Sequence, residues 1–253
     1  MLPGLIFDIK EFALNDGPGV RLTVFLKGCP LKCIWCHNPE GISDVPQINL
    51  RTDKTVGKYY TSKELAEHLM SFKDMYNLSG GGITFSGGEP TQQADFIEEV
   101  IDNLHDIHIN LDTSGYCESD VFENLIKKVN LVYFDLKLID ENQHIEYTGK
   151  SNDKILNNLK ILSNSSVPYV IRIPLIPDIT DTKENLEKVA DIINNLQRQP
   201  ERIDTLPYNK LAGGKYDSYD MIYQLKDKNS ENNKENIEYF KNLIKEQNLC
   251  KSV

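Results

Sequence analysis

Gly28-Cys29-Pro30-Leu31-Lys32-Cys33-Ile34-Trp35-Cys36-His37-Asn38-Pro39 holds three of the chain's five cysteines, spaced C-x3-C-x2-C. Thiols this close in sequence can converge on one metal centre without help from the rest of the fold. Being odd in number, they cannot all pair as disulfides. A 4Fe–4S cluster usually takes four cysteines. Three leave one iron with an open coordination position, and open positions are where metal chemistry happens. Three other readings compete. Cys29, Cys33, Cys36 and His37 could form a Cys3His zinc site, but adjacent Cys36 and His37 would strain to reach one tetrahedral ion, and the chain offers no second ligand pair. Cys33-Ile34-Trp35-Cys36-His37 matches the C-x-x-C-H haem attachment pattern, which normally needs export. The last is a set of ordinary buried thiols. The spacing favours the cluster.

Outward from this loop, β-rich apolar runs alternate with amphipathic helical patterns. Strands are predicted at 20–27, 83–85, 108–111, 131–138, 167–176 and 202–206. Thr61-Ser62-Lys63-Glu64 is a capping box that opens a helix with Leu65, Leu69, Phe72 and Tyr76 on one face. Further helices carry Phe96, Val100 and Leu104, then Phe122, Leu125 and Ile126, then Ile155, Leu159 and Leu162. Two more carry Leu186, Val189 and Ile193, and, near 232–247, Ile237, Phe240 and Leu243. Such alternation predicts an α/β fold with a parallel sheet and right-handed crossovers. Six repeats are fewer than the eight of a closed TIM barrel. The expected architecture is therefore an open, partial (β/α)6 barrel of TIM type, whose open side would admit a segment of another protein. Residues 1–253 read as a single domain, with a charged linker and a C-terminal helix over 226–253 packing on the barrel.

The formal charge of −10, from 28 basic and 38 acidic residues, argues against nonspecific binding to nucleic acid or anionic membrane. No apolar run approaches the ~20 residues that span a bilayer. Met1-Leu2-Pro3-Gly4 lacks a basic n-region, so a cytoplasmic location is expected.

Ligands of parallel α/β sheets sit at the carboxyl ends of the strands, and the polar motifs fall there. The cysteine loop follows the first predicted strand, 86–90 the second and 112–114 the third; Asp135 and Lys137 lie in the fourth, Arg172 in the fifth, and 207–209 follow the sixth. Alternation puts Asp135 and Lys137 on one face; the residues alone also allow a plain Lys–Asp pair there. Arg172 interrupts an apolar run and should be paired or ligand-facing. Cys117 and Cys250 stand alone and read as small apolar fillers.

The triplet, with Asp16-Gly17-Pro18-Gly19-Val20-Arg21 before it and Cys36-His37-Asn38-Pro39-Glu40 after it, resembles the radical S-adenosylmethionine (SAM) superfamily and, within it, the activating enzymes of glycyl-radical enzymes. The resemblance runs from about residue 4 to about residue 211 and implies one 4Fe–4S cluster on Cys29, Cys33 and Cys36. It implies reductive cleavage of SAM and a partner glycyl-radical enzyme that loses a hydrogen from a backbone glycine. A flavodoxin or ferredoxin would supply the electron in an anaerobic setting; a monomer is expected. Gly87-Gly88-Glu89 matches the motif that meets the SAM amino group, and Asp135-Leu136-Lys137 the one at its carboxylate end. The backbones of Trp35, Cys36 and His37 would lie against adenine, with Arg172 facing the ligand. Asp112, Thr113 and Asp135 are candidate ligands of a monovalent cation. Asp16 is a candidate contact for the partner's glycyl loop, and its residue type equally suits a turn. Residues 41–60 contain no cysteine, so the ferredoxin-like insert of many relatives is not expected. Relatives read P-Y-H where this chain has Pro207-Tyr208-Asn209; Asn209 is expected to keep the SAM contact. A radical SAM enzyme acting on a small molecule, and an iron–sulfur carrier, are the competing functions.

Overall fold

The computed structural model describes residues 3–226, 231–245 and 249–252. The parallel core consists of β2 (Arg21–Leu26), β6 (Gly82–Gly87), β7 (His108–Thr113), β8 (Leu131–Asp135), β9 (Tyr169–Leu175) and β10 (Arg202–Pro207). These are the predicted six strands in the predicted parallel order. Both faces are buried, apolar side chains meeting the helices while the barrel interior also receives charged ones such as Asp112, Asp135, Arg172 and Asp204. The sheet extends beyond them. β1 (Gly4–Ala13) pairs antiparallel with β2, β5 (Lys58–Tyr60) pairs antiparallel with β1, and β11 (Cys250–Ser252) pairs parallel with β10. The order β11-β10-β9-β8-β7-β6-β2-β1-β5 has two free edges, so the barrel is open. A small hairpin of β3 (Gln47–Asn49) and β4 (Lys54–Val56) follows the cysteine loop.

The helices are α1 (Ser62–Met70), α2 (Lys73–Ser79), α3 (Ala94–Asp102), α4 (Ser119–Ile126), α5 (Glu141–Thr148), α6 (Asp153–Asn164), α7 (Lys183–Asn194) and α8 (Lys234–Leu243). The capping box forms at α1: Thr61 Oγ1 accepts from the Glu64 amide and Glu64 Oε2 accepts from the Thr61 amide, at 3.2 and 2.9 Å. The single helix expected from Leu65 to Tyr76 is in fact two. The chain breaks at Ser71-Phe72, where the Ser71 hydroxyl bonds the His68 carbonyl and draws the backbone out of register. The C-terminal helix is shorter than expected: α8 packs on α7 and gives way to β11 rather than ending the fold. Residues 227–230 of the charged run, and Glu246 and Gln247 of the predicted helix, lie outside the described residues. One main core fills the space between sheet and helices, with Leu22, Phe85, Phe122, Phe134, Leu186 and Phe240 fully buried.

α5 buries His144 in a predominantly polar helix. Its Nδ1 contacts the Lys150 carbonyl and the Thr148 hydroxyl at 2.6 and 3.0 Å. Burial, helped by the nearby Lys137 charge, lowers its pKa below the ordinary range against the opposing pull of the Lys150 carbonyl. Since the folded state holds the proton less tightly than the unfolded chain, this stability is complete above the unfolded pKa of about 6.5 and is lost as pH falls toward the folded value. The thermal midpoint should therefore drop as pH falls from about 6.5, and His144→Gln should flatten that drop. An identical pH slope in both proteins would contradict this assignment.

Candidate active site

The cysteine loop is held along its whole length, by backbone bonds at its base and middle and by side chains at its tail. Gly28 N donates to Gly41 O and Cys29 N to Ile42 O, at 2.8 and 3.0 Å, which closes the loop at its base. Its middle rests on the end of α5, through Lys32 N to Thr148 O and Ile34 N to Tyr147 O, at 2.7 and 3.1 Å. Its tail meets the 3-10 helix Lys210–Tyr219, where the Tyr216 hydroxyl donates to Cys36 O at 2.9 Å and Lys215 pairs with Glu40 at 2.7 Å. Trp35 anchors a small second core with Leu138, Ile176, Tyr216 and Tyr223.

The Gly87-Gly88 turn at the end of β6 wedges into this base. A Cβ on Gly88 would stand 2.4 Å from Gly41 O and 2.6 Å from Gly28 O, and Gly87 has φ +119 with the Leu26 backbone 2.3 Å from a would-be Cβ. Only glycine permits both the approach and the conformation.

Above this base lies a cavity of about 410 Å³, within the usual range for a cofactor site. Cys29, Cys33 and Cys36 line it together with Trp35 and His37. Gly87, Gly88, Asp112 and Thr113 line the adjoining wall. Asp135, Lys137, Arg172 and Asn209 complete it, and Asp16 reaches it from the β1–β2 turn. All six parallel strand ends thus meet in one place. Lys137 lies just past the end of β8 rather than within the strand, yet its Nζ still reaches Asp135 Oδ2 at 2.9 Å. Asn152 and Asn185 hold that segment by bonding the Leu138, Ile139 and Lys137 carbonyls. Arg172 pairs with Asp112 at 2.9 Å while Ser86 donates to the other Asp112 oxygen.

Two residues of the expected set do not face the cavity. Leu136, just past the end of β8, is buried in the core, on the other side of the chain from Asp135 and Lys137, which line the cavity. Glu89 is also buried, and its carboxylate is an internal hub. Oε1 accepts from the Thr91 amide and hydroxyl and from the Thr113 hydroxyl, and Oε2 from the Ser114 amide and hydroxyl. It holds the end of β7 against the glycine turn and does not line the cavity. Asn209 does line it, but its Oδ1 is used to cap the helix Lys210–Tyr219 through Leu211 N at 2.9 Å, leaving Nδ2 to face a ligand. His37 lines the cavity beside Asn209, and burial lowers its pKa below the ordinary range. Cys117 is buried in the main core, and Cys250 lies in β11 away from the cavity.

Sequence reasoning gave the charged run no role, yet Asn232 ties the site together. Its Nδ2 donates to Leu175 O at the end of β9, and its Oδ1 accepts from Tyr208 N past the end of β10, at 2.8 and 3.1 Å. A lone Asn in an Asn-rich run carries no sequence signal of this. Tyr216, 180 residues from Cys36, was equally invisible.

Without a metal the three thiols stand protonated, so binding one must release their protons. Burial raises all three thiols, Cys33 to about 12, so none ionises readily without a metal. Burial disfavours the Lys137 charge, but Asp135 more than offsets it and the ammonium is stabilised. Burial raises the Asp112 carboxyl against the pull of Arg172. Among the described residues no three His, Cys, Asp or Glu side chains stand close enough for a single ion, which a zinc site with bonds of about 2.0–2.3 Å would demand. A polynuclear cluster spans its thiolates more widely, and three soft sulfur donors on one cavity wall fit it.

The radical SAM superfamily profile matches residues 23–193. The chain is 36% identical to the pyruvate formate-lyase-activating enzyme of Clostridium pasteurianum, across 96% of this chain and 100% of that protein. It is 35% identical to the trans-4-hydroxy-L-proline dehydratase activating enzyme of Clostridioides difficile, across 87% of this chain and 89% of that protein. A crystallised domain of pyruvate-formate lyase-activating enzyme from Bacteroides vulgatus superposes with a TM-score of 0.56 at 26% identity, covering 68% of this chain and 99% of that one. Streptococcus suis SuiB bound to its precursor peptide SuiA superposes at 0.65 and 16% identity, covering 94% of this chain and 49% of that one, a likeness of fold alone.

If Glu89 is a hub rather than a ligand contact, its loss should be felt without any cofactor. In metal-free protein Glu89→Gln replaces a charged acceptor of two amides and three hydroxyls by a neutral amide with one acceptor oxygen, and should cost about 1–3 kcal/mol of stability in urea unfolding. An unchanged unfolding midpoint would return Glu89 to the role of a ligand contact.

Proposed function

The chain belongs to the radical SAM superfamily, and from its site we propose that it activates a partner glycyl-radical enzyme. The observation that carries this is a wall of three thiols, with no fourth cysteine among the described residues that line it, facing one cavity with the ends of all six parallel strands. A 4Fe–4S cluster on Cys29, Cys33 and Cys36, once bound and reduced, supplies the electron that cleaves SAM and lets its 5′-deoxyadenosyl radical take a hydrogen atom from a backbone glycine of the partner.

The chain's own residues bind and orient. Lys137, its charge stabilised by Asp135, would hold the SAM carboxylate. Asp112, oriented by Ser86 and Arg172, faces the same volume and suits an amino group. Trp35 and His37 wall the side nearest the cysteines, and Asn209 Nδ2 takes the place of the imidazole in relatives. A monovalent cation near Asp112, Thr113 and Asp135 belongs to this reading. Asp135 commits only Oδ2 among the described residues, and its field helps keep the Asp112 carboxyl raised. An ion between them would relieve that repulsion.

The open barrel edge gives a protein segment access. We further infer a flavodoxin or ferredoxin as electron donor, a monomeric enzyme and a cytoplasmic, anaerobic setting. Among the described residues no helix is long and apolar enough to cross a membrane.

Electron paramagnetic resonance tests the reading. Anaerobically reconstituted protein, mixed with SAM, a low-potential reductant and a candidate partner glycyl-radical enzyme, should give a glycine-centred doublet. If SAM is cleaved with no radical on the partner, and a small metabolite is consumed instead, the proposed function falls.

A further inference from the structure

Arg172 and Asp112 lie on strands that do not touch. Arg172 is in β9 and Asp112 in β7, with β8 between them. Their ion pair, at 2.9 Å, therefore spans two strand spacings of about 4.8 Å each. The residue it crosses is Tyr133. Tyr133 stands level with Asp112 on one side and with Val170, two residues before Arg172, on the other. All of these side chains line the barrel interior, so the Tyr133 ring lies in the path of the arginine. The guanidinium carbon stands 5.4 Å from the ring centroid, within the roughly 6 Å at which an aromatic face attracts a cation.

The ring is also a floor. A second cavity, of about 570 Å³, lies in the interior on the far side of it. Tyr133 lines that cavity and not the active-site one, while Arg172 lines the active-site cavity alone. Tyr133 is buried, and its hydroxyl accepts from Arg202 Nη2 at 3.0 Å. Arg202 is itself fixed by both oxygens of Asp204, at 2.6 and 2.7 Å. The ring is thus tethered from β10. Arg172 is held less firmly: among the described residues it makes one bond, to Asp112 Oδ1. Asp135 stands nearer in the sheet, in register with Arg172 on the adjacent strand. Among the described residues only its Oδ2 is committed, to Lys137. Charge alone gives Arg172 no reason to pass the nearer carboxylate for the more distant one. An aromatic face beneath the guanidinium does.

We propose that Tyr133 is a positioning residue for cofactor binding: its ring carries the Arg172 guanidinium across β8 to Asp112 and so fixes the carboxylate that SAM meets. This rests on SAM binding in the active-site cavity, as proposed above. With Arg172 on one oxygen and Ser86 on the other, Asp112 has a single orientation. Without the ring Arg172 would turn to Asp135 and compete with Lys137 for it. Asp112 would then turn on Ser86 alone. Both ends of the amino-acid part of SAM would lose their aligned partners.

Fluorination separates the charge of the ring from its shape. Phenylalanines bearing one to three fluorines nearly keep the ring's volume and lose, step by step, the negative face that attracts a cation. Each is placed at position 133 and compared with Tyr133→Phe and Tyr133→Leu. Binding of labelled SAM to the anaerobically reconstituted protein is measured by equilibrium dialysis, with no partner and no reductant. Tyr133→Phe, which keeps the aromatic face, should stay within about twofold of the unsubstituted protein. Affinity should fall stepwise with fluorination, to about fivefold at three fluorines and in Tyr133→Leu. A residue that only fills space would respond to leucine and not to fluorine. Crystals of the metal-free trifluorinated and Tyr133→Leu proteins should show Arg172 moved from Asp112 to Asp135. SAM affinity indifferent to fluorination, or Arg172 still on Asp112 in those crystals, would overturn the assignment. Should Tyr133→Leu fail to fold, the fluorinated series decides by itself. Unsubstituted protein that binds no SAM would contradict the proposed function instead, and the position of Arg172 in the metal-free crystals would still decide what the ring does.

Discussion

A backbone-on-backbone contact at Gly88 underlies the site. The end of β6 enters between the two ends of the cysteine loop so closely that no side chain fits between Gly88 and the Gly28 and Gly41 carbonyls. Three hydrogen bonds lock the junction: Gly88 N to Leu26 O, Glu89 N to Gly28 O, and Gly28 N to Gly41 O, each at 2.8 Å. Because β2 and β6 are paired in parallel register up to Leu26 and Gly87, the loop inherits its position from the sheet. The thiols are therefore aimed at the cavity by the barrel itself, before any cluster binds. Glu89, one residue on, passes the same constraint to β7 through Thr113 and Ser114.

The second organising feature is charge kept in pairs inside an open barrel. Arg172 stands in register with Asp135 on one neighbouring strand and with Asp204 on the other, and bonds Asp112 a strand further away. Lys137 pairs with Asp135 and Arg202 with Asp204. Breaking a buried pair by removing one member costs about 3–5 kcal/mol, so the interior favours ligands that bring complementary charge. SAM, with its carboxylate and amino group, meets that condition in the active-site cavity.

Much of this was legible in the sequence. The parallel strands were readable because they are buried on both faces and run as short β-branched stretches between helical patterns, and the strand-end position of each motif followed from fold class. What escaped had physical reasons. β1 is long and half exposed, its order coming from pairing with β2 and β5 rather than from its own pattern. β11 is three residues long and exists by its pairing with β10. α5 buries His144 and Thr148 in place of an apolar stripe. At the site, the cysteines, Asp135, Lys137 and Arg172 line the cavity as expected. Glu89 and Leu136 do not, because motif membership does not say which way a side chain points. Asn232 and Tyr216 act through single long-range bonds, and no local pattern announces them.

The central claim is hydrogen transfer from a partner's glycine to the deoxyadenosyl group of SAM in this cavity, and isotope transfer measures it directly. The partner should be prepared with glycine deuterated at the α-carbon, activated anaerobically with unlabelled SAM, and the 5′-deoxyadenosine analysed by mass spectrometry. The account predicts one deuterium in each 5′-deoxyadenosine formed as the partner becomes active. 5′-Deoxyadenosine free of deuterium, formed while the partner gains activity, would contradict it.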